Sequence, residues 1–449
     1  MFMRVSVKKI ATLLLFCLII VTILMSFLVP KSNSNSFNNI CFIIFLFMTF
    51  LFFKIKRKKN YFDFDSIFIM LYAIVAFVFP VFLFKLSAPY ENFYNLKYNV
   101  NLVSKGVYIS LLGISGYYAG SFCKACAINE TQETRRISSK LLVIIVLILA
   151  LLFYLLGGIQ FYQSIYLKNV SAPSGPLMHV IALLQVAVLT TIANEAYNKR
   201  NEKEYSYNKV FLAACILVSL SFLYAGNRTY PSFFLLPLAY WYIKEYKPIN
   251  FWKFSIMIFS AILLMWVVQQ TRVGSEVKLS NGASVLKDLT IVDRDTYIGI
   301  EYVNKYGLTY GKTMLNGIIG VFPSLERILT TLFGLNTRNF GSAELFTDYT
   351  FKGDSGFGLG TNIFIDIFLS FGYVGTYLLL FLLGFFVKHA YEKLNVLSYY
   401  YYIIYTVLIA SSVYMVRSSF TYPLRLLIWS LILGNINKSL TRRILNSRV

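Results

Sequence analysis

Acidic residues are scarce in this chain: 20 aspartates and glutamates stand among 449 residues, against 42 lysines and arginines. Charged residues of both signs reach only 14%, where soluble domains carry about a quarter. That shortfall excludes an ordinary soluble domain, and a mean hydropathy of +0.63 points to an integral membrane protein. Histidine is almost missing, at two residues, and there are five cysteines. Cys17, Cys41, Cys123, Cys126 and Cys215 fall in apolar runs or at the end of one, so no disulfide framework is implied. Cys123 and Cys126 form a CxxC, but no second pair or histidine stands near to complete a zinc site, and no metal is expected. The net charge of +22 would suit nucleic acid. The lysines and arginines cluster instead in short connections between apolar runs, where they set topology, so no nucleic-acid partner is expected.

Long apolar runs are what the chain has in abundance. They fall at roughly 10–29, 37–53, 66–84, 103–122, 141–159, 177–197, 210–225, 230–243, 254–268, 373–387, 397–416 and 419–436. The runs do not alternate as barrel strands do, and lipid tolerates only helices or closed barrels. The expected fold is all-α, a polytopic membrane bundle of about twelve transmembrane helices with one large outer loop. The first run is too long for a signal peptide's apolar region and reads as an uncleaved span. Basic residues recur at every second connection: Lys8 and Lys9, Lys54 to Lys59, Arg135 to Lys140, Lys199 to Lys203, and the tail from Lys438 to Arg448. By the positive-inside bias these connections and both termini face the cytoplasm. The chain then divides into spans one to nine (1–268), the outer loop (269–358) and a closing part (359–449). Within the loop, Thr313–Val321 and Leu325–Leu335 are apolar enough to lie on the membrane surface. Segment 359–371 is too short to span alone; it is the upper part of a long tilted span or a re-entrant helix.

Chemistry is expected where ionisable groups meet the membrane boundary. Arg228, Arg272, Arg417 and Arg425 sit at outward ends of runs, and a guanidinium fork suits bidentate binding of phosphate oxygens. Any one of them could equally snorkel or serve a structural ion pair; four on one face favour a shared anion site. Asp366, inside an apolar helical stretch, is the first candidate base, with a buried ion-pair role the alternative. His179, near the outer end of the sixth run, is the second, although a hydrogen-bonded structural imidazole is the commoner use. Glu301, Glu326, Glu344, Asp348 and Asp354 are loop carboxylates among which the sequence gives no choice. Gly307 to Thr313 imitates a phosphate loop but is one residue short and follows no buried strand. Outer aromatics such as Tyr94, Tyr98, Tyr162 and Tyr302 suit sugar rings, and suit the lipid–water interface equally well.

With those residues in view, the chain resembles the oligosaccharide repeat-unit polymerases, the Wzy-type O-antigen and capsule polymerases. Ala225-Gly226-Asn227-Arg228 is similar to that family's small-residue–Arg turn opening a span. Tyr310-Gly311-Lys312-Thr313, then Val321-Phe322-Pro323-Ser324, is similar to its loop pattern. Gly358 to Asp366 and Phe371 to Gly375 are similar to its closing signature, where the acid is more often glutamate, and Arg417 to Phe420 to its polar turn before the last span. The likeness covers about the second half of the chain. It implies a membrane glycosyltransferase that needs no cofactor and acts outside the plasma membrane. The growing chain would pass from its undecaprenyl diphosphate to the terminal sugar of an incoming lipid-linked repeat unit. It further implies the lipid bilayer and a chain-length regulator protein as partners. An O-antigen ligase would more often offer a histidine in the large loop, and none lies between Gln269 and Gly358. A flippase would show short loops and two repeated halves, which the hydropathy lacks.

Overall fold

A computed structural model describes residues 2–84, 96, 98–123, 136–166, 175–202, 204–270, 289–322, 325–333, 340–352, 358–396 and 398–446. The described residues form helices and connections, with no strand among them. In chain order the helices are α1 (Phe2–Leu24), α2 (Asn35–Lys56), α3 (Phe64–Ala73), α4 (Val103–Gly120), α5 (Lys140–Leu155), α6 (Gly158–Tyr166), α7 (Gly175–Asn201), α8 (Lys209–Tyr224), α9 (Thr229–Tyr246) and α10 (Phe251–Gln270). There follow α11 (Asp293–Tyr306), α12 (Leu315–Ile319), α13 (Leu325–Phe333), α14 (Ser342–Phe351), α15 (Ile363–Lys393), α16 (Tyr399–Val416) and α17 (Leu424–Asn446). α3 continues as a π-helix over Ile74–Leu83 around Pro80, whose missing N–H and ring displace the ordinary ladder.

All twelve apolar runs fall on helices. Six helices are long and apolar enough to cross a membrane by length and composition, or up to seven if the pair Lys140–Leu155 and Gly158–Ser164, bent by 53°, is one span. The bundle is apolar outside and partly polar inside. α5 exposes Ile144, Ile148, Leu151 and Leu155, and α10 exposes Trp252, Ile256, Phe259 and Leu263. α7 meanwhile buries Thr190, Thr191, Asn194 and Glu195. Exposed apolar area on that scale suits lipid and would aggregate in water. This is a multi-pass membrane protein.

The most extensive helix pair is α4 with α15. Small residues let the two backbones approach: a Cβ on Gly120 would fall 1.9 Å from the Phe381 carbonyl oxygen, and one on Gly384 2.2 Å from that of Tyr117. Beside them α16 packs on α3, α7, α9, α15 and α17, which makes it a hub of the second half.

The ambiguous segment 359–371 turns out to be continuous with the run after it, across a break. Asn362 caps α15 by accepting from the Ile365 N–H, and Ile363 to Ser370 is buried. At Gly372 the backbone leaves the helix (φ 64, ψ −156), a conformation that favours glycine. The break strands carbonyls, and the loop satisfies them: Thr309 N–H donates to Leu369 O at 2.9 Å and Tyr310 N–H to Ser370 O at 3.0 Å. Phe371 and Val374 beside the break are exposed, so it is the pairing with Thr309 and Tyr310 that satisfies its carbonyls.

Candidate functional site

The segment holding α12 and α14 meets the bundle at a cavity of ≈ 320 Å³ with mixed polar and apolar walls. Its walls come from five places: Gln185 of α7; Thr313, Asn316 and Gly317 around α12; Gly341 to Glu344 at the start of α14; Thr361 before α15; and Ser418 to Leu426 at the start of α17. Two helices thus begin at the cavity, α14 and α17, and their leading N–H groups carry partial positive charge toward it. Arg425, exposed on α17, adds a full charge. The one acid among the lining residues is Glu344. A site that gathers a guanidinium, two helix starts, hydroxyls and a single carboxylate can hold an anion and still accept a proton.

Local structure fixes Glu344. Its carboxylate folds back over Gly341, where a Cβ would fall 1.8 Å from Oε2. Asn316 Nδ2 donates to Oε1 at 3.2 Å. The carboxylate therefore bridges α14 and α12, half structural and half presented to the cavity. The sequence had named Glu344 only as one of five loop carboxylates. The available signal was its place three residues after Gly341 at a helix start, where a glutamate commonly turns back.

Arg417 ends α16 and directly precedes the cavity residues Ser418 and Ser419. Arg228 opens α9, and the next residue, Thr229, accepts at Oγ1 a 2.8 Å hydrogen bond from Tyr414 OH of α16. Phe233 of α9 stacks on Tyr414 (5.3 Å) and neighbours Tyr422 (6.1 Å), which lines the cavity. The fold therefore draws Arg228, Arg417 and Arg425 onto adjoining elements, with Arg425 alone of them in the cavity wall. Arg272 lies outside the described residues.

Asp366 sits behind that wall. It is fully buried, and its Oδ2 accepts the Phe420 N–H at 2.9 Å. Ser342, which donates to Thr361 Oγ1 at 2.9 Å, also stands against the carboxylate. The geometry makes Asp366 the anchor of the turn between α16 and α17, holding the backbone that carries the arginines. His179 is not brought to the cavity. It is exposed on α7 and its Nδ1 lies 2.6 Å from the Gly175 carbonyl of the same helix. Gln185, six residues on, reaches the site instead. Among the described residues no group of three or more His, Cys, Asp or Glu is gathered for a metal ion.

The family model described as O-antigen polysaccharide polymerase Wzy matches residues 10–440. No curated protein and no solved structure matches the chain.

Proposed function

The chain belongs to the O-antigen polysaccharide polymerase Wzy family, and from that premise we propose that it joins lipid-linked oligosaccharide repeat units at the cavity between loop and bundle. The donor is the growing chain on undecaprenyl diphosphate; the acceptor is the terminal sugar of an incoming lipid-linked unit, both on the outer face of the plasma membrane. The bond between the donor's anomeric carbon and the diphosphate oxygen breaks, and a bond from that carbon to the acceptor hydroxyl oxygen forms. The hydroxyl proton passes to a base, and lipid diphosphate leaves.

What carries this reading is the meeting of Arg425 and Glu344 in one cavity wall. Arg425, with Arg228 and Arg417 alongside, would stabilise the charge that builds on the departing diphosphate. Glu344 is the carboxylate placed to take the acceptor proton, in place of Asp366 or His179. Asn316 and Gly341 hold it in one orientation. The loop helices α12 and α14 cover the cavity and act as a lid over two substrates that enter from the membrane.

The test is polymer length in a strain that lacks the native gene, with membrane insertion checked in parallel. Glu344→Gln keeps the hydrogen bond to Asn316 but removes the base, and should lower the rate by about 10²–10⁴-fold. Arg425→Ala should cost about 10²–10³-fold, and Arg425→Lys should recover little of it, since the fork geometry is lost. Full-length polymer from inserted Glu344→Gln protein would remove the base assignment. Deleting the gene should leave surface glycan with single repeat units; glycan missing entirely would point to another step.

A further inference from the structure

Between Val180 and Leu189, helix α7 is apolar at every position but one, Gln185. The helix lies in a membrane bundle, where a lone amide most simply bonds a neighbouring helix or its own backbone. Polar residues further along α7 are spent in that way. Thr190 and Thr191 donate to the Val186 and Ala187 carbonyls, and Asn194 and Asn198 donate to the Ile137 carbonyl. Glu195 accepts from Tyr205 OH and the Asn208 N–H. Gln185 differs: among the described residues nothing hydrogen-bonds its side-chain amide. It is 5% exposed, and it is the one residue of α7 that lines the cavity beside α17. Backbone inside a continuous helix is covered by side chains, so the Gln185 side chain is what reaches the wall. A second orphan stands in the same wall, the buried hydroxyl of Ser418.

An amide that reaches a cavity and pairs with nothing in the protein suits a ligand group that both donates and accepts. Solvent would satisfy it, but a wall facing solvent needs no amide, since an apolar side chain fills the same place without a polar group to pair. The amide is uncharged and adds little for a diphosphate, which Arg425 and the two helix starts suit. Its Oε1 and Nε2 lie side by side, a spacing that fits adjacent hydroxyls of a sugar ring. We propose that Gln185 is the specificity-determining residue for the sugar. Its amide pairs, from the bundle side of the cavity, with hydroxyls of the acceptor ring, while Glu344 meets the reacting hydroxyl from the loop side. The assignment rests on the polymerase reading. A ring in which those hydroxyls are missing or blocked leaves the amide unpaired and is rejected.

Calorimetric titration of the full-length protein in detergent tests this with two probes: the repeat-unit oligosaccharide freed from its lipid by mild acid, and inorganic diphosphate. Wild-type protein should bind both. Gln185→Met, close in shape but without a donor or strong acceptor, should weaken the oligosaccharide about tenfold and leave diphosphate unchanged. Its ligand-free melting temperature should equal or exceed that of the wild type, because no bond within the protein is lost. Gln185→Leu, a second apolar variant, should show the same pattern. Arg425→Ala should show the reverse, losing diphosphate and keeping the oligosaccharide. Undiminished oligosaccharide binding in both Gln185 variants, equal loss of the two probes, or a melting temperature lowered in both would overturn the assignment and leave the polymerase reading in place. Wild-type protein that binds neither probe would overturn both.

Discussion

Asp366 shows how burial decides what a carboxylate does. A base needs a path to the substrate hydroxyl, and this group is enclosed, with one oxygen occupied by the Phe420 N–H. Its removal leaves that part-buried N–H without its acceptor, a cost of about 1 kcal/mol concentrated on one turn. Asp366→Ala should therefore misplace Arg417 and Arg425 and raise KM for the lipid-linked donor. Asp366→Asn retains an acceptor oxygen and should keep much of the activity. Equal loss in both variants would return Asp366 to the role of base. Glu344 is the converse case. It is exposed to the cavity yet held by Asn316, so its Gln variant tests chemistry with the packing nearly unchanged.

Helix α11 joins the loop to α15, and its attachment is sensitive to charge. Asn362, the cap of α15, donates to Val292 O at 2.9 Å and to Thr296 Oγ1 at 2.8 Å. Beside that link, burial pushes the Asp295 carboxyl up to about 8, against the opposing pull of Arg294 and the Gly360 N–H. Asp293, bonded to Tyr297 OH, is raised as well, again by burial. A raised acid favours the protonated folded form. Its contribution is full below the ordinary value of 3.8, falls as pH climbs from there, and is gone above about 8. The melting temperature should accordingly drop between pH 6 and pH 8.5, and Asp295→Asn should flatten that slope; an unaltered slope in the variant would rule out Asp295 as its source. Elsewhere the α4–α15 contact has no spare room. Gly384→Leu must push against the Tyr117 carbonyl and should destabilise by about 1–3 kcal/mol, read as a lower melting temperature in detergent. A surface-facing glycine, Gly307, has open space at its Cβ but a φ of 84°, so there strain rather than crowding would set the cost.

Over the whole molecule, hydrogen bonds between connections sort them into two ends. One end joins Ser34 to Ser104, Thr229 to Tyr414, Thr309 to Leu369 and Phe420 to Asp366. The other joins Tyr61 to Ile249, Cys123 to Lys388 and Ser138 to Asn437. These are the two alternating sets that the basic residues separate in the sequence. At the second end Lys58 is buried; desolvation pulls its ammonium down, but Asp63 and Asp65 together hold it above its usual value. The expectation that the cavity end faces outward has a direct check. In a cysteine-free background, an impermeant maleimide applied to intact spheroplasts should label a cysteine at Glu326 and spare one at Lys253. The reverse pattern would invert the topology and remove the outer-face reaction.

The sequence by itself determined that the chain is helical and membrane-embedded, because twenty-residue apolar runs admit few other structures, and runs of that kind need no distant contact to be recognised. It also gave the arginine-bearing turns, since each announces itself locally as a charge at the end of an apolar run. Tertiary structure decided which groups meet. Glu344 and Arg425 lie 81 positions apart and share a cavity only because α12, whose Asn316 holds Glu344, packs on α17. The sequence places Asp366 in one apolar stretch and His179 near the end of another, but the burial of the first and the exposure of the second are not visible there. Burial and convergence are properties of packing among distant segments, and a single sequence does not carry them.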